Sequence, residues 1–313
     1  MASFDVTVVI ASYNFSYPKM MGTLKSVLKQ RNVDIEIIIA DDGSQDADYT
    51  EVERYIHEIG FESFFLIRNK ENQGTVKNLI SGLKRVRGKY VYMTSPGDML
   101  FDDMVLHDFY EYAEENKAKV LFGDAVYYNN DDGLEIYGDK SAPVRPYCFG
   151  ADKTIKAQKI GFFFGGYILG AAFFRETETA KKYFGIIENC CKFVEDNTST
   201  AFMLADGIKV EYYPRNMIWY EYGGGVSTSK ENKWKAILEN DFRESFRLLK
   251  ERCPYDRIID AAFEKNVNGK GKLGSILKHP LVMFGAFRYK LSGKRRVEYT
   301  DSDAARLKKL LRR

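Results

Sequence analysis

Two adjacent carboxylates, Asp41 and Asp42, follow the apolar residues Ile37-Ile38-Ile39-Ala40 and precede Gly43-Ser44. An apolar run that breaks into acids and a glycine reads as a buried strand opening into a polar loop. A second run, Val6 to Ala11, ends in Ser12-Tyr13-Asn14. In an open parallel sheet, ligands bind at the carboxyl ends of the strands. A tyrosine beside a carboxylate suits a planar base, because the ring stacks and an acidic oxygen accepts an imide or amino hydrogen. The two strand ends point to a nucleotide site.

The phosphates of that nucleotide must be held without the usual loops. A dinucleotide fold places G-x-G-x-x-G directly after its first strand, and the segment from Ser12 to Met21 contains no glycine. The G-x-x-x-x-G-K-[ST] loop is missing too: Gly269-Lys270-Gly271-Lys272 has the wrong spacing and is followed by Leu273. The phosphates must be held another way, and a metal ion on a carboxylate is the arrangement this reading favours. His57, His107 and His279 form no H-x-x-x-H pair and accompany no nucleophile, so each reads as structural or exposed.

The elements that must position these residues alternate in type. Helices are expected over 18–30, 51–59, 76–86, 103–115, 197–205 and 233–252. Strands are expected over 6–11, 37–40, 63–67, 89–94, 120–122 and 208–213, with a hairpin at Asn129-Asn130-Asp131-Asp132-Gly133. Such alternation predicts an α/β fold of right-handed βαβ units around a mostly parallel sheet. Residues 138–160 read as a loop or lid, and residues 161–174 as a glycine-rich wall where something approaches closely. No internal repeat is visible.

Composition sets the outer limits. A chain of 313 residues with 45% hydrophobic and 14% aromatic residues folds around a full core. Cys148, Cys190, Cys191 and Cys253 lack zinc or C-x-x-C spacing, which predicts reduced thiols and a cytoplasmic setting. The opening Met-Ala-Ser-Phe-Asp resembles neither a signal nor a transit peptide. No apolar run reaches the ~20 residues that cross a bilayer. The net charge of +3 hides a division, since residues 265–313 hold 14 Lys/Arg against 3 Asp/Glu while the rest is acidic.

The N-terminal pattern resembles the family 2 glycosyltransferases of GT-A fold. The resemblance rests on Val8-Val9-Ile10-Ala11-Ser12-Tyr13-Asn14, Asp41-Asp42-Gly43-Ser44, Asn72-Gln73-Gly74, Gly88-Lys89-Tyr90, Ser95-Pro96-Gly97-Asp98, Glu195-Asp196 and Gly224-Gly225-Val226-Ser227. It spans roughly residues 5–228 and implies a catalytic domain over 1–228. The donor half would cover about 1–100, the acceptor half 101–228, and a helical region with the basic tail 229–313. It implies an inverting, metal-dependent transfer from a nucleotide sugar, with UDP favoured, to a hydroxyl of a glycan or lipid-linked glycan.

By that resemblance Tyr13 stacks on the base, Asp42 accepts its imide hydrogen, and Ala11 and Gly97 lend backbone contacts. Lys77 approaches the diphosphate, and Asp98 binds Mn2+ or Mg2+. The family's D-x-D motif keeps only its last acid here, although Mg2+ commonly needs one or two carboxylates besides phosphates and water. Asp196 would be the base, with Glu195, Gly224 and Ser227 supporting the acceptor or a closing loop. Capping is the plain alternative for Asp41 and Asp42 at their turn, for Asp102 and Asp103, which could otherwise help hold the metal, and for Asp196 at its helix. The rival functions are a nucleotide-binding scaffold without catalysis and a nucleotidyltransferase, which would carry a glycine-rich basic loop after its first strand.

The tail reads as a surface element. Leu273, Leu277, Pro280, Phe284, Phe287 and Leu291 fall near one side, among Lys278, Arg288, Lys290, Lys294, Arg295 and Arg296. A basic amphipathic segment binds anionic membranes, which predicts peripheral association with the inner face of the cell membrane. No nucleic-acid recognition motif accompanies the charge. Self-association is left open.

Overall fold

A computed structural model describes residues 3–45, 47–223, 232–269 and 272–312. Its strands are β1 (Phe4–Ser12), β2 (Ile35–Asp41), β3 (Phe64–Arg68), β4 (Gly88–Thr94), β5 (Met99–Leu100), β6 (Val120–Asn129), β7 (Glu135–Tyr137), β8 (Phe173–Glu176) and β9 (Glu211–Glu221). Helices α1 (Tyr17–Leu28), α2 (Thr50–Glu58), α3 (Thr75–Leu83) and α4 (Val105–Asn116) alternate with the first strands. Then come α5 (Ile155–Gly165), α6 (Thr177–Ile187) and α7 (Glu195–Ala205). The chain closes with α8 (Asn232–Arg252), α9 (Arg257–Asn266), α10 (Lys272–Lys278), α11 (Pro280–Lys290) and α12 (Asp301–Leu311).

The strands form one sheet in the order β3-β2-β1-β4-β8-β6-β9-β5, with β7 paired to β6. The first four are parallel, and β8 joins β4 and β6 in the antiparallel sense. Because β2 and β4 flank β1 on opposite sides, the connections reverse there, and the cleft beyond Ser12 and Thr94 is where such a sheet receives ligands.

Alternation along each strand explains why helices cover both faces. Val9, Ile38 and Val91 pack on one side with Leu79, Phe184 and Phe202 of α3, α6 and α7. Val8, Ile37, Ile39 and Tyr92 pack on the other with Leu24, Ile56 and Phe109 of α1, α2 and α4. At the strand ends away from the cleft, fully buried Glu36 accepts hydrogen bonds from Thr7 Oγ1 (2.9 Å) and from the backbone and Nε of Arg87. That acid ties strands together.

Two expectations change. The segment expected to be a lid holds a 3-10 turn, Pro146–Phe149, and then α5, whose first turn is capped by Thr154 Oγ1 accepting from Ala157 N at 3.2 Å. Its glycines obscure the helical pattern for a packing reason: a Cβ on Gly165 would lie 2.1 Å from the Tyr289 ring. The strand expected at 208–213 runs instead as β9 to Glu221, with Pro214 close to an irregularity in its pairing with β6.

The basic tail is partly core. In α11, Val282, Ala286 and Tyr289 are buried, and the helix packs on α5. The chain then returns to the sheet, where Arg295 Nε reaches Asp124 Oδ2 at 3.0 Å and Tyr299 meets Trp219 edge-on. Helix α12 opens with a capping box from Thr300 and Asp303 and buries Leu307 and Leu310 beside α1.

Candidate functional site

The loops after β1 and β2 are tied to each other. Asp41 accepts from Ser44 N (3.1 Å) and Tyr49 Oη (2.8 Å), and Ser44 Oγ accepts from Asn14 N (2.8 Å). Asp41 therefore shapes the turn. Asp42, also buried, accepts from Gln73 N (2.9 Å) and Gly74 N (2.8 Å), so it also anchors the loop before α3. Those bonds use about two of the roughly four lone-pair positions of a carboxylate, leaving acceptor capacity. Burial raises Asp42 above the usual carboxylate range, against the two amides and the charge of Lys192. Tyr13, half exposed, presents its ring at the end of β1.

The loop after β4 brings a second acid that the local sequence does not reveal. Gly97 adopts φ +106°, a conformation natural to glycine. A Cβ there would also strike Glu221 Oε2 at 2.4 Å. Next to it, buried Asp98 accepts from Glu221 N at 3.2 Å, and Lys19 Nζ sits 2.8 Å from Glu221 Oε1. Tyr128 Oη donates to Gly97 O at 2.5 Å. Burial pushes Asp98 up to about 8, and the nearby Glu221 charge adds to this. Two acids sharing one partly exposed lysine form a donor set short of positive charge, which suits a hard divalent cation with oxygen ligands.

Helix α7 carries the third group. Glu195 and Asp196 are its first two residues, and Asp196 Oδ1 accepts from Asn197 N at 2.7 Å. A Cβ on Gly170 would meet Asp196 Oδ2 at 3.2 Å, so the backbone after α5 packs closely against that carboxylate. Beneath lies Arg175, 1% exposed, its guanidinium 4.0 Å above the Phe173 ring. Glu195 Oε2 and Arg175 Nε are buried without a hydrogen-bond partner. Burial pushes Glu195 up to about 8, and Asp196 adds to it. Asp196 is raised too, mainly by burial, against the pull of Asn197 and Arg175.

A cavity of about 50 Å³ lies between the ends of β1 and β4 and the start of α7, beside rather than over Asp42, Asp98 and Asp196. It is lined by Ala11 of β1, Ser95 after β4, Gly170, Arg175 and Glu195, among others. The strand ends and the first turn of α7 thus share one recess. Lys77 is exposed on α3, with no ion pair to another described residue. Gly224 and Ser227 lie outside the described residues. Lys19, Arg175 and Glu221 were missed by sequence reasoning. Only the family pattern preceding Asp98 signalled that a second acid was needed.

One other acidic cluster stands apart, on α9 and the residue before α11. His279 Nε2 lies 3.2 Å from Glu264 Oε2 and 3.5 Å from Asp260 Oδ2. Lys250 and Lys278 already pair with those carboxylates, at 2.6 Å for Lys250 and Asp260, so the cluster reads as a helix clamp.

Comparison with known proteins agrees with this fold. The protein is 26% identical to glycosyltransferase GlyG of Streptococcus pneumoniae over 128 residues, 41% of each chain, so the match covers well under half of that relative's length. The fold is shared with S. aureus TarS 1–349 in complex with UDP-GlcNAc, at TM-score 0.61 and 18% identity, over 91% of this chain and 79% of that one. It is shared too with the mannosyltransferase PcManGT of Pyrobaculum calidifontis in complex with GDP-Man and Mn2+, at TM-score 0.59 and 14% identity, over 98% and 79%. These likenesses establish a GT-A architecture. The glycosyl transferase family 2 profile matches residues 7–175, stopping short of Asp196 and Glu221. That match covers more than half of the protein, and the chain belongs to glycosyl transferase family 2.

Proposed function

We propose that this enzyme moves a sugar from a UDP-sugar to an acceptor hydroxyl with inversion at the anomeric carbon, and that residues 1–228 carry the chemistry. The observation behind this reading is the shared recess, which sets Ala11 and Ser95 on the nucleotide side against Glu195 on the acceptor side. The UDP-GlcNAc and GDP-Man complexes of the two fold relatives support a nucleotide-sugar donor in the same architecture.

In the proposed mechanism, the uracil ring lies on Tyr13 and its imide N–H donates to Asp42. Asp98, with Glu221 as second acid, would hold Mn2+ or Mg2+. Such an ion offsets charge on the departing diphosphate as a Lewis acid. Lys19, 2.8 Å from Glu221, adds positive charge beside it. Asp196 takes the acceptor's proton as that oxygen forms its bond to the anomeric carbon. The old carbon–oxygen bond breaks, and its electron pair leaves on the UDP phosphate. Arg175 keeps the Glu195–Asp196 pair from rising so far that the base stays protonated.

Peripheral membrane attachment belongs to the same reading. Leu277, Leu281, Phe284, Phe287 and Leu291 are exposed along α10 and α11, with exposed Arg288, Lys290, Lys294 and Arg296 nearby. An apolar stripe edged with cations complements an anionic bilayer, and no helix among the described residues is long and apolar enough to cross one. The decisive test is transfer by Asp196→Asn: loss of transfer with UDP binding intact supports the assignment, and undiminished transfer removes it.

A further inference from the structure

A large cavity lies beside Asn197, the residue after Asp196, and the mechanism above does not use it. Its volume is about 710 Å³, within the roughly 300–1,000 Å³ of sites that take drug-sized ligands. Phe162, Phe163 and Phe164 of α5 form one wall, and Phe242, Phe246 and Leu249 of α8 the other. One end is closed by Asn197 and Thr198, the residues after Asp196, and the other by Lys265 and Asn266 at the end of α9. Lys265 lies 5.3 Å from the Phe164 ring centroid.

The walls are held firmly. Thr198 Oγ1 and Ser245 Oγ are 3.0 Å apart, linking α7 to α8. Asp241 accepts from the amides of Lys192 (2.8 Å) and Phe193 (2.7 Å), fixing α8 to the loop that leads into Glu195. Phe242 stays 40% exposed although it lines the groove. A trough of this size is more than a sugar ring requires. Polar groups such as Arg243, Ser245 and Lys265 share its lining, while the phenylalanine walls between them suit an apolar chain, which leaves no buried polar group unpaired.

The position of the trough indicates what fills it. Helices α5 and α9, which supply one wall and part of the lining, both pack against α11, and α11 turns its exposed leucine and phenylalanine stripe outward. The trough therefore leads from the neighbourhood of that stripe to the first turn of α7. We propose that it holds the aliphatic chain of the acceptor, so that the acceptor is an amphiphile drawn from a bilayer whose hydroxyl reaches Asp196. The inference rests on the transferase reading for the role of Asp196, whereas the trough's affinity for a chain stands independently.

Alkyl β-glucosides with chains from butyl to dodecyl, kept below micelle formation, are the probe. Their binding to the full-length protein is measured by calorimetry. Affinity should rise with chain length by roughly two- to fourfold per buried methylene until the trough is full. Phe242→Glu places a charge in the trough and Glu239→Trp fills it from the exposed side of α8; both positions have room, so the fold should survive. Each should abolish the chain-length dependence, weakening dodecyl glucoside at least tenfold while leaving UDP affinity unchanged. Phe284→Glu on α11 should leave it intact. Chain-length-independent binding in the parent, or an unaltered series in both variants, overturns the proposal. A parent that binds the chains but no UDP-sugar sinks the transferase reading and leaves the trough standing.

Discussion

The carboxylates at the end of β2 and those facing them across the cleft are held in different ways. Asp41 is satisfied by Ser44 and Tyr49, and Asp42 by Gln73 and Gly74, all within the first βαβ units. Asp98 instead takes its amide from Glu221, 123 residues later, and the Glu195–Asp196 pair depends on Arg175 from β8. The first kind of site is built by the loops of adjacent βαβ units, with no partner more than 32 residues away, and tolerates change elsewhere. The second is built by long-range packing, in which like charges are brought close and buried. Such crowding costs stability and tunes ionisation, and functional groups concentrate where that happens.

The contrast is broken most sharply at Asp196. Asparagine keeps the contact with the start of α7 but cannot accept a proton, so transfer should fall by roughly 10²–10⁴-fold with UDP affinity unchanged. Turnover within about threefold of the parent would pass the role to Glu195.

The tail offers the next largest effect, because its two faces should behave oppositely. Leu307→Ala on α12 empties a fully buried position and should cost about 2–5 kcal/mol in urea unfolding. Phe284→Glu, on the exposed face of α11, should stay within about 0.5 kcal/mol yet abolish binding to anionic vesicles at low salt. Equal destabilisation by both changes would show that the outer face is also packed.

Asp98→Ala should weaken UDP-sugar binding by about 10–100-fold, and a chelator should mimic it in the parent. Glu221→Gln combined with Asp98→Ala should be non-additive, as expected for groups in contact. Adding Asp42→Asn instead should give an additive loss, because its supports are separate. Full turnover in chelator would leave the diphosphate to Lys19 and its neighbours.

The smallest effect is a displacement in pH. Since the base must be ionised, transfer should rise as pH climbs through the ionisation of Asp196, which burial holds above the usual carboxylate range. Removing the cation with Arg175→Met favours the protonated forms, so the rise should move up by about one pH unit. A profile with no acid-side fall anywhere in the range where the protein stays folded, or one moving downward in the variant, contradicts the arrangement.

Local order in the chain made much of this protein legible. The runs ending at Ala11, Ala40 and Thr94, with helical periodicity between them, imply a parallel α/β sheet, because alternation and capping are properties of neighbouring residues. The same local logic placed Tyr13, Asp42 and Asp98 at strand ends. Only tertiary structure decided that Glu221 lies against Gly97, that Arg175 sits beneath Glu195, and that α12 returns to α1. Nothing near those residues in sequence encodes these meetings, which arise when the sheet closes and buried charges must share whatever partners remain. Helix α5 was hidden for the same reason: Gly161 and Gly165 look like breakers until Cys148 and Tyr289 fill the space that their missing side chains leave.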